Sequence, residues 1–178
     1  LGIFTARREG GKADRIMTVV NQVCMSIPPV FVGILLCYIF GIALKVFAPG
    51  NFVTFGEDPA GFLIYMIFPA ISVALSRVSM TVKMLRSSIL DEMNKDYIRT
   101  AFSRGRTRAD ALKKHALRNA LIPVIAFLAV TAAELVAGTI VVEQVFAVPG
   151  IGRLLLASIS GRDFPVAQAI VVILAAWV

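Results

Sequence analysis

Few residues of this chain are of a type that does chemistry, and their spacing decides what kind. Glu134 is an acid in the middle of an apolar run. An ionisable group at membrane depth is costly and marks a pathway by default. It can face a translocation path and meet a cationic group there, carry protons, pair with a neighbouring subunit or stay protonated. His115 stands alone beside Lys114, and packing or hydrogen bonding at a helix suits it better than catalysis. No Gly-x-x-x-x-Gly-Lys-[Ser/Thr] run occurs, so the chain is not expected to bind or hydrolyse ATP itself, and no catalytic constellation emerges. Cys24 and Cys37 fall in or near an apolar run, where they read as small packing residues with no metal partner. The charged groups gather instead in one stretch, Asp96 to Gly105, continuing from His115 to Pro123. A basic helix–Gly–helix unit held between membrane runs is a handle. A soluble partner inside the cell can push on it and move the spans.

The elements that hold this handle are membrane helices. The chain is 58% hydrophobic and 16% charged, against roughly 45–50% and 25% in soluble domains. About 20 apolar residues cross a bilayer core as helix. Four segments fit: about 23–47 with an amphipathic lead-in from Ile16, about 62–84 carrying Arg77 and Lys83, about 120–142, and one starting near Phe164. Arg7, Arg8, Lys12 and Arg15 precede the first, ten Lys and Arg lie from Lys83 to Arg118, and the loop at 48–61 has none. The loop at 143–163 has only Arg153 and Arg162. The positive-inside rule puts the start and the 83–118 segment in the cytoplasm. With no initiator Met and an apolar run at Val178, the chain is expected to be one membrane domain over 1–178, cut from a longer protein at both ends.

Within the basic segment, 88–104 reads as one amphipathic helix. Ile89, Leu90, Met93, Tyr97 and Ala101 share one face, and Glu92, Lys95, Asp96 and Arg99 the other. Gly105 suits the helix C-terminus, and Thr107 with Asp110 matches a capping box for a second helix. A solvated basic loop on anionic membrane lipid also fits the charge but leaves two capped helices unexplained. Few aromatic residues lie here, which disfavours nucleic acid.

These residues carry a resemblance. Asp96–Tyr97–Ile98–Arg99–Thr100–Ala101, then Gly105, then Lys114 to Pro123, resemble the EAA loop of ABC importer permeases of the dipeptide/oligopeptide family. Arg99–Thr100–Ala101 stand where the general family has Glu-Ala-Ala, and Arg118 where many importers have Pro. Both departures are usual in one of the two peptide-permease subunits. Ser26 to Gly33, Glu143 to Phe146, Pro149 to Leu155 and Arg162 to Val166 are similar to further family motifs, so the likeness spans nearly the whole chain.

The resemblance implies an all-α transmembrane fold of the type I importer kind, with two of the usual six spans missing before the first one here. The loop at 88–118 would form coupling helices that dock on a cytoplasmic ATPase. Asp96, Thr100, Arg99, Arg104, Arg106 and Arg108 would face that partner, the arginines giving charge-assisted hydrogen bonds. Tyr97, Ala101 and Phe102 would anchor it, and Gly105 would turn where a side chain clashes with it. Pro28 and Pro29 must disturb the first span, either as a packing kink or as a pore-facing hinge. Asn21, Gln22 and Glu134 would line the path, Glu143 an outer gate, and small Ala137–Gly138–Thr139 a close helix contact. Ile151 to Ile159 would be a short outer helix, with Arg153 and Arg162 contacting an extracytoplasmic binding protein or lipid head groups. The implied partners are a second homologous permease and two ATPase subunits that hold ATP and Mg²⁺, in a bacterial or archaeal cytoplasmic membrane. Relatives with similar loops carry dipeptides, longer peptides, glutathione or nickel chelates. Two rival readings are a proton-coupled carrier using Glu134 and a membrane scaffold.

Overall fold

The computed structural model describes residues 1–7 and 9–177, with side chains described except at 7 and 136–138. Its order is α1 (Gly2–Arg7), α2 (Lys12–Ser26), α3 (Pro29–Leu36, continued by a π-helical turn over Cys37–Ala43), α4 (Pro59–Met93) and α5 (Asp96–Ser103). Then come α6 (Arg108–Ala111, continued by a π-helical turn over Leu112–Ala116), α7 (Leu117–Gly138), α8 (Ile140–Phe146), α9 (Ile151–Ser160) and α10 (Phe164–Trp177). No strand occurs among the described residues. This is the all-α expectation.

Two helical runs are long and apolar enough to cross a membrane, Pro59–Met93 and Arg108–Leu135. The count reaches up to four if the broken pairs α2 with α3 and α8 with α9 each make one span. The 35 residues of α4 extend about 52 Å, well beyond a hydrocarbon core of about 30 Å. Its last turns therefore leave the apolar layer. Leu63, Ile64, Ile67 and Ile71 are exposed along it, as suits a lipid-facing stripe.

Several expected boundaries move. The first span is not one helix over 23–47: α2 stops at Ser26, and Pro28 is extended at φ −61°, ψ 139°. The residue before a proline is pushed out of the α region, and Pro29 then opens α3 at its first turn, where its missing N–H costs nothing. The third span does not run to Val142. It ends at Gly138, and α8 starts afresh at Ile140. The fourth, α10, begins at Phe164 as expected. The close-packing role expected of Ala137 and Gly138 falls outside the described side chains, and Arg8 outside the described residues.

The chain forms two compact units, 1–26 with 77–131 and 27–76 with 132–178. The first has its core where Ala6, Ile89, Leu112 and Ala120 meet, with Ile98, Ala111 and Ala116 beside Met93. The second is built on aromatic rings. Phe47 stacks on Phe68 at 4.5 Å between centroids, Phe40 tilts against Phe68 at 5.1 Å, and Tyr65 sets its edge to Phe47. The Tyr65 hydroxyl donates to the carbonyl of Phe146 and accepts the N–H of Gly50 at 3.1 Å. Buried hydroxyls need such partners, and here one phenol ties a loop and the end of α8 to α4.

In the second unit α8 and α9 meet at 89°. The close approach rests on Gly152, where a Cβ would lie 2.7 Å from the Cα of Ile140 and 2.5 Å from its Cγ1. Backbone cannot yield as a flexible side chain does. Gly152→Ala should therefore destabilise the protein by roughly 1–3 kcal/mol, the usual cost of overpacking. Thermal unfolding of the full-length protein in detergent reads this directly, and an unchanged midpoint would mean that the corner is not tight.

Candidate functional site: the basic helix–Gly–helix unit

The basic unit lies in the first compact unit and is built from the end of α4, α5, α6 and the start of α7. It is not one helix over 88–104. Turn hydrogen bonds from Asn94 N–H to Asp91 O and Lys95 N–H to Glu92 O close α4, and Lys95 is extended at φ −75°, ψ 153°. The break resets the helical phase. Ile98 and Ala101 turn inward at 0% and 9% exposure, while Tyr97 and Phe102 stay outside at 37% and 40%. Ala101 was expected among the partner anchors. It packs inside its own chain instead, because the phase is counted from Asp96 and not from Ser88.

The turn is made as its residues require. Gly105 has φ +77°, its N–H donates to Phe102 O, and the N–H of Arg106 donates to Ala101 O at 3.2 Å. This pair is the Schellman closure, which places glycine just past the helix end. Two residues on, the Thr107 hydroxyl accepts the N–H of Asp110 at 3.2 Å and donates to its carboxylate at 2.8 Å. The expected cap is thus present, with Asp in the usual Glu/Gln position. Nothing among the described residues lies within 4 Å of where a Gly105 Cβ would point. The turn opens to the outside, and a side chain there would project away from the protein.

A polar knot locks α5 against its neighbours. Glu92 accepts from Lys95 Nζ at 2.5 Å and from the Tyr97 hydroxyl at 2.6 Å, and that hydroxyl accepts from Asn119 Nδ2 at 3.1 Å. Tyr97 therefore joins the Asp-Tyr stretch to the Arg-Asn stretch of α7, a link that the sequence did not reveal. Partial burial of its hydroxyl end, then the bond to Glu92, push its pKa up. The bond to Glu92 likewise raises that of Lys95.

The arginines divide into two kinds. Arg99, Arg104 and Arg106 are exposed, with Arg99 only loosely paired to Asp96 at 3.6 Å; Thr100 is exposed and donates to Asp96 O. Arg108 is committed within the chain, its Nη2 2.7 Å from Glu9 Oε2. Phe102 and Arg108 border a hollow of 210 Å³ with Leu90, Met93 and Asn94. The unit's outer surface carries exposed arginines and the exposed rings of Tyr97 and Phe102. This is the composition of an interface hot spot, where aromatics and arginine dominate.

The residues expected along the path lie on several elements. Asn21 donates to Ser79 O at 2.8 Å and Gln22 accepts from Lys83 Nζ at 3.4 Å, so both amides are engaged by α4. Glu134 lies on the exposed side of α7 in the second compact unit. Pro28 and Pro29 stand at the helix break. Glu143 holds a corner: its carboxylate accepts the N–H of Arg153 at 2.9 Å and the Thr139 hydroxyl at 3.3 Å. A carboxylate there complements the N-terminal dipole of α9. Arg153 also donates to Ala147 O at 2.7 Å, and Arg162 is exposed at φ +59°. Sequence reasoning missed one pair altogether. Asp14, 4% exposed, takes Arg86 Nε at 3.0 Å and Nη2 at 2.8 Å, and the N–H of Gly10 at 3.1 Å. The available signal was a single acid between Lys12 and Arg15 in a leading basic cluster.

The knot makes a prediction. Replacing Tyr97 by Phe leaves Glu92 without its neutral donor and should cost about 1 kcal/mol. The fold favours the neutral phenol. The contribution is therefore complete below the ordinary tyrosine value of 10.0 and is lost as pH rises through the raised value. Unfolding midpoints of wild type and Tyr97→Phe should differ at pH 8 and converge in strong base. Identical midpoints at pH 8 would show that the knot contributes nothing.

Comparison with known proteins agrees with this architecture. Residues 1–178 match the family described as binding-protein-dependent transport system inner membrane component. A putative peptide transport system permease of Brucella abortus is 40% identical over 144 residues, covering 81% of this chain and 46% of its own length. An oligopeptide transport system permease of Bacillus subtilis is 35% identical over 179 residues, covering 99% and 57%. A dipeptide transport system permease of the same organism is 34% identical over 166 residues, covering 93% and 51%. This chain spans about half the length of these relatives. Its matched length, its all-helical build and its capped basic unit place it in one group: the chain belongs to the binding-protein-dependent transport system inner membrane component family.

Proposed function

We propose that this chain is the membrane-spanning part of a permease subunit in an ATP-driven importer of peptides. The observation that carries the mechanism is the basic unit, two short helices closed by Gly105 and capped by Thr107, with exposed Arg99, Arg104 and Arg106 and an exposed Phe102. The substrate class comes from the relatives, which are named as peptide, oligopeptide and dipeptide permeases. ATP and Mg²⁺ are held by two separate cytoplasmic ATPase subunits. Acidic groups of an ATPase meet Arg99, Arg104 and Arg106 by charge-assisted hydrogen bonds, and Phe102 fills a pocket between them. Closure of the ATPases moves α5 and α6, and the spans follow because the unit shares a core with α4 and α7. A second homologous permease completes the path, and an extracytoplasmic binding protein delivers the peptide. The setting is the cytoplasmic membrane of a bacterium or archaeon.

The test is purification of the full-length protein from its native membrane, with partner identification and an ATPase assay. Recovery of a second permease and two ATPases, with hydrolysis stimulated by a peptide-loaded binding protein, is expected. Recovery of the protein without an ATPase would overturn the importer reading and favour a proton-coupled carrier acting through Glu134. Gly105→Glu gives a sharper check when set beside Gly105→Ala, which shares the strain of the positive φ without the charge, because the added carboxylate projects outward from the turn. Membrane insertion should be normal and uptake should fall roughly thirtyfold, the equivalent of about 2 kcal/mol lost at an interface hot spot. Normal uptake by this variant would sink the docking mechanism.

A further inference from the structure

The segment ahead of the first span carries charges that reach distant parts of the basic unit. Glu9 Oε2 meets Arg108 Nη2 at 2.7 Å across 99 residues of sequence. Five residues later, Asp14 grips Arg86 of α4 with both carboxylate oxygens, across 72 residues. Between them Gly10 donates its N–H to Asp14, so the short connection is tied to itself. Ahead of it, Ala6 is 2% exposed and packs in the core with Ile89 and Leu112. The two ion pairs differ in kind. Arg108 and Glu9 keep 60% and 47% side-chain exposure, and Arg86 and Asp14 only 27% and 5%. A two-point guanidinium–carboxylate fork in a buried place is directional and holds one geometry. The exposed pair sits on the first residue of α6, within the unit that a partner would move.

We propose that Glu9 and Asp14 are positioning residues of a strut that carries movement of the basic unit to α2. The Asp14–Arg86 fork is its fixed pivot, and Glu9–Arg108 its contact with the moving helix. Displacing α6 pulls on Glu9. The pull passes through the tied connection to Asp14 at the start of α2, and α2 ends at Ser26, beside the Pro28–Pro29 break. A rigid helix with a hinge at its far end turns a small push into a reorientation of the chain beyond it. The pair thus adds a second route of transmission beside the shared core with α4 and α7.

The inference rests on the importer reading, and one experiment separates the two. The full-length complex with its ATPase subunits is placed in lipid nanodiscs, with every native cysteine, Cys24 and Cys37 among them, replaced by Ser, and Ser26→Cys as the reporter thiol. The probe is a maleimide dye, and its rate of attachment is compared without nucleotide and after trapping with ATP and vanadate. The rates should differ by about fivefold, the lower end of ordinary coupling between sites. In Glu9→Lys the ratio should fall toward one while ATP hydrolysis continues, and Glu9→Asp should restore part of it. Arg86→Lys, which keeps the charge but not the fork, should also reduce it. Retention of the full ratio in Glu9→Lys and Arg86→Lys would overturn the strut. Release of the ATPase subunits by Glu9→Lys would overturn it too, by making Glu9 a docking residue. No response in the unmutated reporter complex would defeat the importer reading itself, and the strut with it.

Discussion

A hydrocarbon layer offers backbone N–H and C=O groups nothing to bond with, and that constraint shapes every element here. Each crossing segment must satisfy itself as helix, so the chain becomes long helices, and irregular backbone is confined to particular places. The Pro28 break, the turn after α3 and the α8–α9 corner each carry a local device that repairs the lost bonds. Pro29 opens a helix where its missing N–H is harmless. Tyr65 supplies a donor to Phe146 O and an acceptor to Gly50 N–H. Glu143 takes the N–H of Arg153 at the start of α9. These side chains look unrelated in sequence, yet they answer the same demand.

Where α4 leaves the apolar layer the constraint relaxes, and charge takes over. Water is now available, so short helices with explicit caps become stable enough to form. The unit from Asp96 to Ala116 depends on the Schellman closure at Gly105, the Thr107 cap and the Tyr97–Glu92–Asn119 knot. Its inward face is small and apolar, and its outward face is cationic. An exposed ion pair contributes little to stability, roughly 0–1 kcal/mol, so Glu9–Arg108 links two segments without adding much to the fold's stability. The buried Asp14–Arg86 fork is different: removing one side of such a pair costs about 3–5 kcal/mol, because the other charge is stranded.

The sequence was legible where a rule depends on residue type and near neighbours. Apolar run length located the long helices, and Gly105 and Thr107 marked a helix end and a helix start. It was misleading where one local event shifts everything after it. The face through Ile89, Leu90, Met93, Tyr97 and Ala101 assumed one unbroken helix from Ser88. The break at Lys95 moved Ile98 inward and Tyr97 outward. Nothing in the local composition announces that break, since Lys95 has no side-chain cap to signal it. The partners of Asn21 and Gln22 were out of reach for a related reason, because polar residues near a membrane mouth suit a water-filled path as well as a neighbouring helix.

By itself, the sequence determined class and family, since these follow from summed apolar length and motifs that are contiguous in the chain. Only the tertiary structure decided which polar groups meet. Glu9 with Arg108, Asp14 with Arg86, Tyr65 with Phe146 and Tyr97 with Asn119 are separated by 22 to 99 residues. A hydrogen bond needs its two atoms within about 3 Å. No periodicity brings distant residues so close; the packing of helices on their apolar faces does so, and the polar partners are chosen as a consequence.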